Sequence, residues 1–271
     1  MSEAQSYIAS LERFNPLMEP LARGAIRALE LPMGSRGLDA GCGIGLQALL
    51  LAAAVGPSGH VTGLDISPKM TRYGKQVAAR AGMSGRVSFR EGDVRCLPFD
   101  DSDFDWAWSS CCVGYASFLD PISTLGEMAR VVKAGGTVAI LVWASECLLP
   151  GYPRLEARLR ATTPGIAPYE VAMTPEAHYL RALGWFRELG LQEPAAHTVT
   201  VDAFAPLKSD VREALGGLLA MRWPGAEAEL TDEDRAEYER ICYPDSPDFI
   251  IDHPDYYAFC ACTLFHGKVA S

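Results

Sequence analysis

The residues best suited to chemistry lie in one glycine-rich stretch, Leu38-Asp39-Ala40-Gly41-Cys42-Gly43-Ile44-Gly45. A strand that ends in closely spaced glycines lets the backbone approach a ligand, and the helix that follows offers it N-terminal amides. Two cofactor classes compete for such a turn. The dinucleotide fingerprint G-x-G-x-x-G, counted from Gly41, wants glycine where this chain has Leu46. A branched side chain there keeps the helix from the close approach a pyrophosphate requires. A nicotinamide-dependent oxidoreductase is therefore the disfavoured alternative.

Further acidic residues follow at intervals. Asp65 closes Val61-Thr62-Gly63-Leu64-Asp65 and precedes Ile66, and Asp93 stands in Glu91-Gly92-Asp93-Val94. Each Asp alone reads as a turn or cap residue. In register with one glycine turn, together they point to polar groups converging in one pocket. Ser110 and Tyr115, in Ser109-Ser110-Cys111-Cys112-Val113-Gly114-Tyr115, leave another strand where they can line the same edge. Among five histidines, His253 in Ile251-Asp252-His253-Pro254 is the favoured general base and His178 the second, since both fall in or beside segments outside the regular core.

These residues need a scaffold, and the hydrophobic pattern supplies one. Strands are expected at 37–41, 60–65, 86–91, 104–109 and 136–143, with helices at 46–55, 68–81 and 119–132 between them. Ser67 is the expected N-cap of the second of these helices and Pro68 its first residue. Strands alternating with helices argue for a parallel, doubly wound α/β sheet with helices on both faces. The first 34 residues read as helix, broken near Pro16 and Pro20. Later, 146–175 reads as a loop or broken helix and 175–189 as helix. Strands follow at 197–204 and 256–266, with helical patterns at 209–221 and 232–241 between them.

The motif D-x-G-x-G-x-G at Asp39–Gly45 resembles the first motif of class I methyltransferases, which bind S-adenosylmethionine (SAM). The resemblance continues through Asp65, Glu91-Gly92-Asp93-Val94, Phe104-Asp105 and Glu127-Met128-Ala129-Arg130-Val131-Val132-Lys133-Ala134-Gly135-Gly136, with Ala134 where proline is commoner. It covers residues 37–143 and is similar in style to the ubiquinone and menaquinone C-methyltransferase branch. The resemblance implies a seven-stranded sheet whose last strand is antiparallel, inserted between the fifth and sixth. It implies that Gly41, Cys42, Gly43 and Gly45 form the cofactor turn and that Asp39 lies near the methionine ammonium. By the same resemblance Asp65 takes the ribose hydroxyls and Asp93 meets the adenine amine. Ile66, Gly92 and Val94 then flank the base, with Ser110 beside the methyl end and Tyr115 among the catalytic candidates.

One domain over 1–271 is expected, with a cofactor core at 35–145 and a substrate cover drawn from 1–30, 146–175 and 206–255. The cover is rich in aromatics, including Tyr7, Phe14, Tyr152, Tyr169, Trp223, Tyr243 and Phe249, which suits a small organic acceptor with an apolar body. The expected activity is SAM-dependent methyl transfer. A SAM-binding module without catalysis, or one that modifies a protein, is a further alternative. A net charge of −10, from 24 Lys and Arg against 34 Asp and Glu, opposes nucleic-acid binding. No apolar run suits a membrane span and the start lacks the pattern of a signal peptide, so a soluble, cytoplasmic protein is expected. The eight cysteines form no C-x-x-C pair, and neither a metal site nor a disulfide framework is expected of them.

Overall fold

The computed structural model describes residues 3–115, 120–168 and 174–270. Seven strands form one sheet in the order β3-β2-β1-β4-β5-β7-β6. They are β1 (Arg36–Ala40), β2 (His60–Asp65), β3 (Val87–Glu91), β4 (Phe104–Ser110), β5 (Val132–Cys147), β6 (Gln192–Phe204) and β7 (Tyr257–Lys268). β1 pairs in parallel with both β2 and β4, β2 with β3, and β4 with β5. β7 runs antiparallel to both β5 and β6. The expected topology, with an antiparallel last strand between the fifth and sixth, is the observed one.

The helices are α1 (Glu3–Ala28), α2 (Leu46–Ala54), α3 (Pro68–Arg80), α4 (Pro121–Arg130), α5 (Pro153–Ala161), α6 (Thr163–Ile166), α7 (Ala182–Glu188), α8 (Ser209–Arg222) and α9 (Asp232–Cys242). Strand alternation splits the core between the two faces of the sheet. On β5, Ala139 and Leu141 join the core beneath α1, α2 and α8. Val138, Ile140 and Val142 join the one beneath α4 and α7. Ser67 caps α3 by accepting the Met70 N–H at 3.5 Å, and Asp120 caps α4 by accepting from Ile122 and Ser123.

Three expectations fail, each for a tertiary reason. α1 is not broken at its prolines; Pro16 and Pro20 lie inside one helix. The buried stripe of Leu17, Leu21, Ala22, Ala25 and Ile26 is continuous across them. Its packing outweighs the roughly 3 kcal/mol that an interior proline costs. The segment 146–175 begins as strand, because β5 continues to Cys147 by pairing with β7 through Cys147 and Phe259. The helix expected over 175–189 divides into two 3₁₀ turns, Pro175–Ala177 and Tyr179–Arg181, before α7. Tyr179 and Trp185, both buried, are what the bend between them carries inward.

Candidate active site

The carboxyl ends of β1, β2 and β4 open into one cavity of about 900 Å³. Its floor is the glycine turn. Gly41 and Gly43 have φ of +75° and +52°, in the left-handed region that disfavours side chains. A Cβ on Gly41 would stand 2.5 Å from Cys112 Sγ, and one on Gly43 would meet Leu11 of α1 at 3.6 Å. The turn is thus a bare-backbone cradle between α1 and β4. Gly45, the N-cap of α2, has a different task. It does not line the cavity, and a Cβ there would lie 2.5 Å from the Phe89 ring, so it serves helix–sheet packing.

Two carboxylates flank the turn. Asp65 accepts the Gly43 N–H at 2.9 Å through Oδ2 and the Ser67 N–H at 2.8 Å through Oδ1. Each oxygen therefore has acceptor capacity beyond these bonds. Partial burial raises the Asp65 carboxyl above its ordinary value, against those two backbone bonds. Asp39 is 2% exposed and its Oδ2 has no hydrogen-bond partner. Burial first, and the charge of Asp65 second, push its pKa up to about 7. A buried carboxylate oxygen without a donor is costly unless a ligand supplies one. The ammonium of the methionine part of SAM supplies both a donor and a positive charge, so these residues fit SAM.

Farther along the edge, Gly92, Asp93 and Val94 line the cavity together with Ile66. Val94 is buried and Ile66 is 64% exposed, leaving its side chain as an open apolar surface. Asp93 is held by its neighbour: Arg95 donates to Oδ1 at 3.0 Å and to Oδ2 at 2.6 Å, lowering the pKa of the carboxyl. Cys42 lines the turn with its thiol pKa raised by burial, which leaves it a small packing residue. Ser110 accepts from Gln47 Nε2 at 3.0 Å, and Gln47 Oε1 accepts the Trp108 indole N–H at 2.9 Å.

The structure separates the three catalytic candidates. Tyr115 lines the cavity, but its hydroxyl accepts the Trp143 N–H at 2.9 Å and donates toward Cys111 Sγ at 3.9 Å. Burial drives its pKa upward, and its hydroxyl is engaged with Trp143 and Cys111 in the cavity wall. His253 is not brought to the cavity. It sits exposed in the turn before β7, bonded to Asp255. The 3₁₀ turn Ile250–Asp252 buries Ile250 and Ile251 instead and leaves the histidine outside. His178 stacks behind Tyr179 at 4.5 Å and accepts the Leu180 N–H, and it is Tyr179 that faces the cavity.

Several lining residues escaped the sequence reading. Met18, Trp143, Tyr179, Leu218, Met221 and Arg222 complete the far wall. Their only sequence signal is helical or strand periodicity, which does not distinguish a core side chain from one facing a cavity. Of the aromatic residues expected in the cover, Tyr7 and Phe14 line the cavity. Tyr152, Trp223, Tyr243 and Phe249 do not, and Tyr169 lies outside the described residues.

Comparison with known proteins matches the part that builds the glycine turn. Residues 38–136 match the family model described as a methyltransferase domain. The chain is 36% identical over 130 residues to the demethylmenaquinone methyltransferase of Geobacillus kaustophilus, covering 48% of this chain and 54% of that protein. It is 34% identical over 125 residues to the enzyme of the same name from Staphylococcus carnosus, covering 46% and 49%. The match therefore spans about half the length of these curated relatives. Among solved structures, a SAM-dependent methyltransferase from Aquifex aeolicus has a TM-score of 0.52 at 21% identity, covering 69% of this chain and 88% of that one. A geranyl diphosphate C-methyltransferase from Streptomyces coelicolor has 0.51 at 16%, covering 92% and 78%. The glycine turn, its flanking carboxylates and the strand order agree with these matches: residues 38–136 carry a methyltransferase domain, similar over that part to the demethylmenaquinone methyltransferases.

Proposed function

We propose that the protein transfers a methyl group from SAM to a small organic acceptor. The observation that carries this reading is the buried, partnerless oxygen of Asp39 beside a bare-backbone turn, opening into a chamber lined by aromatic and sulfur side chains. SAM bound there supplies an electrophilic methyl on a sulfonium, so the protein's work is positioning and exclusion of water. Asp39 compensates the cationic amino-acid end. Asp65 offers its remaining lone pairs to the ribose hydroxyls, and charge-assisted bonds of this kind are the strong ones. Asp93, already bound to Arg95, accepts one further bond from the adenine amine, with Ile66 and Val94 on the faces of the ring.

The cover over the acceptor comes from α1, which contributes Tyr7, Ser10, Leu11, Phe14 and Met18, and from the end of α8. No helix among the described residues is long and apolar enough to cross a membrane. Thermal-shift measurement with SAM, S-adenosylhomocysteine and NAD tests the reading. Both adenosyl ligands should raise the melting temperature; stabilisation by NAD alone overturns the assignment.

A further inference from the structure

The acceptor half of the cavity is walled by aromatic rings that are fixed from behind. Trp143 on β5 donates its indole N–H to the carboxylate of Glu146. Arg222, the last residue of α8, holds the same oxygen through Nη2 at 2.9 Å. Its guanidinium carbon lies 5.8 Å from the centre of the Trp143 ring. On the adjoining wall the Tyr115 ring stacks on Tyr179, 5.2 Å apart and 3° from parallel, and its hydroxyl accepts the Trp143 backbone N–H.

Glu146 and Arg222 are 1% and 6% exposed. An ion pair this deep is a weak source of stability, since apolar residues of similar size do as well or better. Its value here is geometric and electrostatic. It pins the Trp143 ring from the indole edge and from one face. It also cancels the charge of Arg222, which itself lines the chamber.

We propose that the Glu146–Arg222 pair positions Trp143 as a rigid wall and tunes the chamber for an uncharged acceptor with a flat, apolar body lying against that ring. The inference rests on the methyl-transfer reading. Flat rings are favoured because an indole held in place offers stacking without further loss of side-chain freedom. Anionic acceptors are disfavoured because Glu146 already takes up the charge of Arg222.

Calorimetric titration of the full chain, saturated with S-adenosylhomocysteine, tests this with 4-phenylphenol and 4-phenylbenzoate. The two share a ring system and differ in charge at neutral pH. The wild type should bind the phenol about tenfold tighter. Glu146→Gln keeps an acceptor for the Trp143 indole while removing the charge opposite Arg222, so the preference should reverse toward the benzoate. Trp143→Leu should weaken phenol binding about tenfold, and Trp143→Phe should restore most of it. A wild-type preference for the benzoate, or an unchanged ratio in a folded Glu146→Gln protein, overturns the proposal. Should Glu146→Gln fail to fold, the Trp143 variants decide: equal phenol affinity in Trp143→Leu and wild type overturns it. Failure of the wild type to bind S-adenosylhomocysteine at all would instead strike the methyl-transfer reading.

Discussion

Asp39 and Asp65 end neighbouring parallel strands on either side of the glycine turn, and they are bonded in opposite ways. Asp65 accepts two backbone N–H groups, from Gly43 and Ser67, and so ties the turn to the start of α3. Asp39 buries an oxygen that accepts nothing. The charge on Asp65 adds to the burial of Asp39 in holding a proton on it up to about pH 7. Asp65 is bonded to the backbone through both oxygens, while Asp39 keeps one buried oxygen without a partner.

This arrangement makes cofactor binding pH-dependent. Asp39 ordinarily ionises at 3.8 and in the fold at about 7, so between these values the folded chain binds the extra proton. Stability from this group is therefore highest at the acidic end of that window. It declines as pH rises and is fully lost above about 7. A cationic ligand prefers the ionised form, so SAM affinity should rise from about pH 6 to pH 8, with proton release measurable in buffers of different ionisation enthalpy. Asp39→Asn should flatten both trends and weaken SAM binding. An equal pH slope in wild type and variant would contradict this.

Replacing Asp65 should hurt twice. Asp65→Ala removes the acceptor of two backbone bonds and, in the proposed binding mode, the acceptor of the ribose hydroxyls. Affinity for SAM should fall by on the order of a hundredfold, about 3 kcal/mol, together with a lower melting temperature. Asp93→Ala should cost less, because Arg95 already occupies that carboxylate and buried Val94 remains. Titration calorimetry and thermal melts on both variants give the comparison; Asp65→Ala binding within threefold of wild type would refute the role.

The bare turn is itself testable. Gly41→Ala places a Cβ 2.5 Å from Cys112 Sγ at a φ of +75°, combining overpacking with backbone strain. The expected destabilisation is about 1–3 kcal/mol, read from denaturant midpoints. The second change, Gly41→Ala with Cys112→Ala, should recover the packing part and leave the conformational part.

Hydrogen exchange should locate the mobile cover. The stretch 224–255 falls in the expected substrate cover, yet Tyr238, Ile241, Phe249, Ile250 and Ile251 are buried in the core shared with α1 and α8. We expect it to exchange slowly without ligand. The first turns of α1 carry exposed Tyr7 over the cavity mouth. They should exchange fast in the free protein and slow on binding S-adenosylhomocysteine, as a gating segment from the low-stability end of the fold does.

The cofactor half was legible in the amino-acid sequence because it is local. Asp39 to Gly45, Asp65 and Asp93 each sit at or just past the end of a short strand, so period and turn chemistry place them on one edge of the sheet. The antiparallel β7 was expected from the family resemblance, and its pairing with β5 extends that strand to Cys147 beyond its apolar run. The acceptor half is non-local. Trp143, Glu146 and Arg222 come from β5 and α8, 76 residues apart at the ion pair, and Tyr115 meets Tyr179 only because two 3₁₀ turns replace the expected helix. His253 and His178 illustrate the limit. Residue type marked both as bases, while backbone turns packed their apolar neighbours inward and left one histidine in solvent and the other behind a tyrosine. Local periodicity determines which residues can form the cofactor edge; which side chains enclose the acceptor is decided by long-range packing, where burial of apolar neighbours outweighs the chemistry of any one side chain.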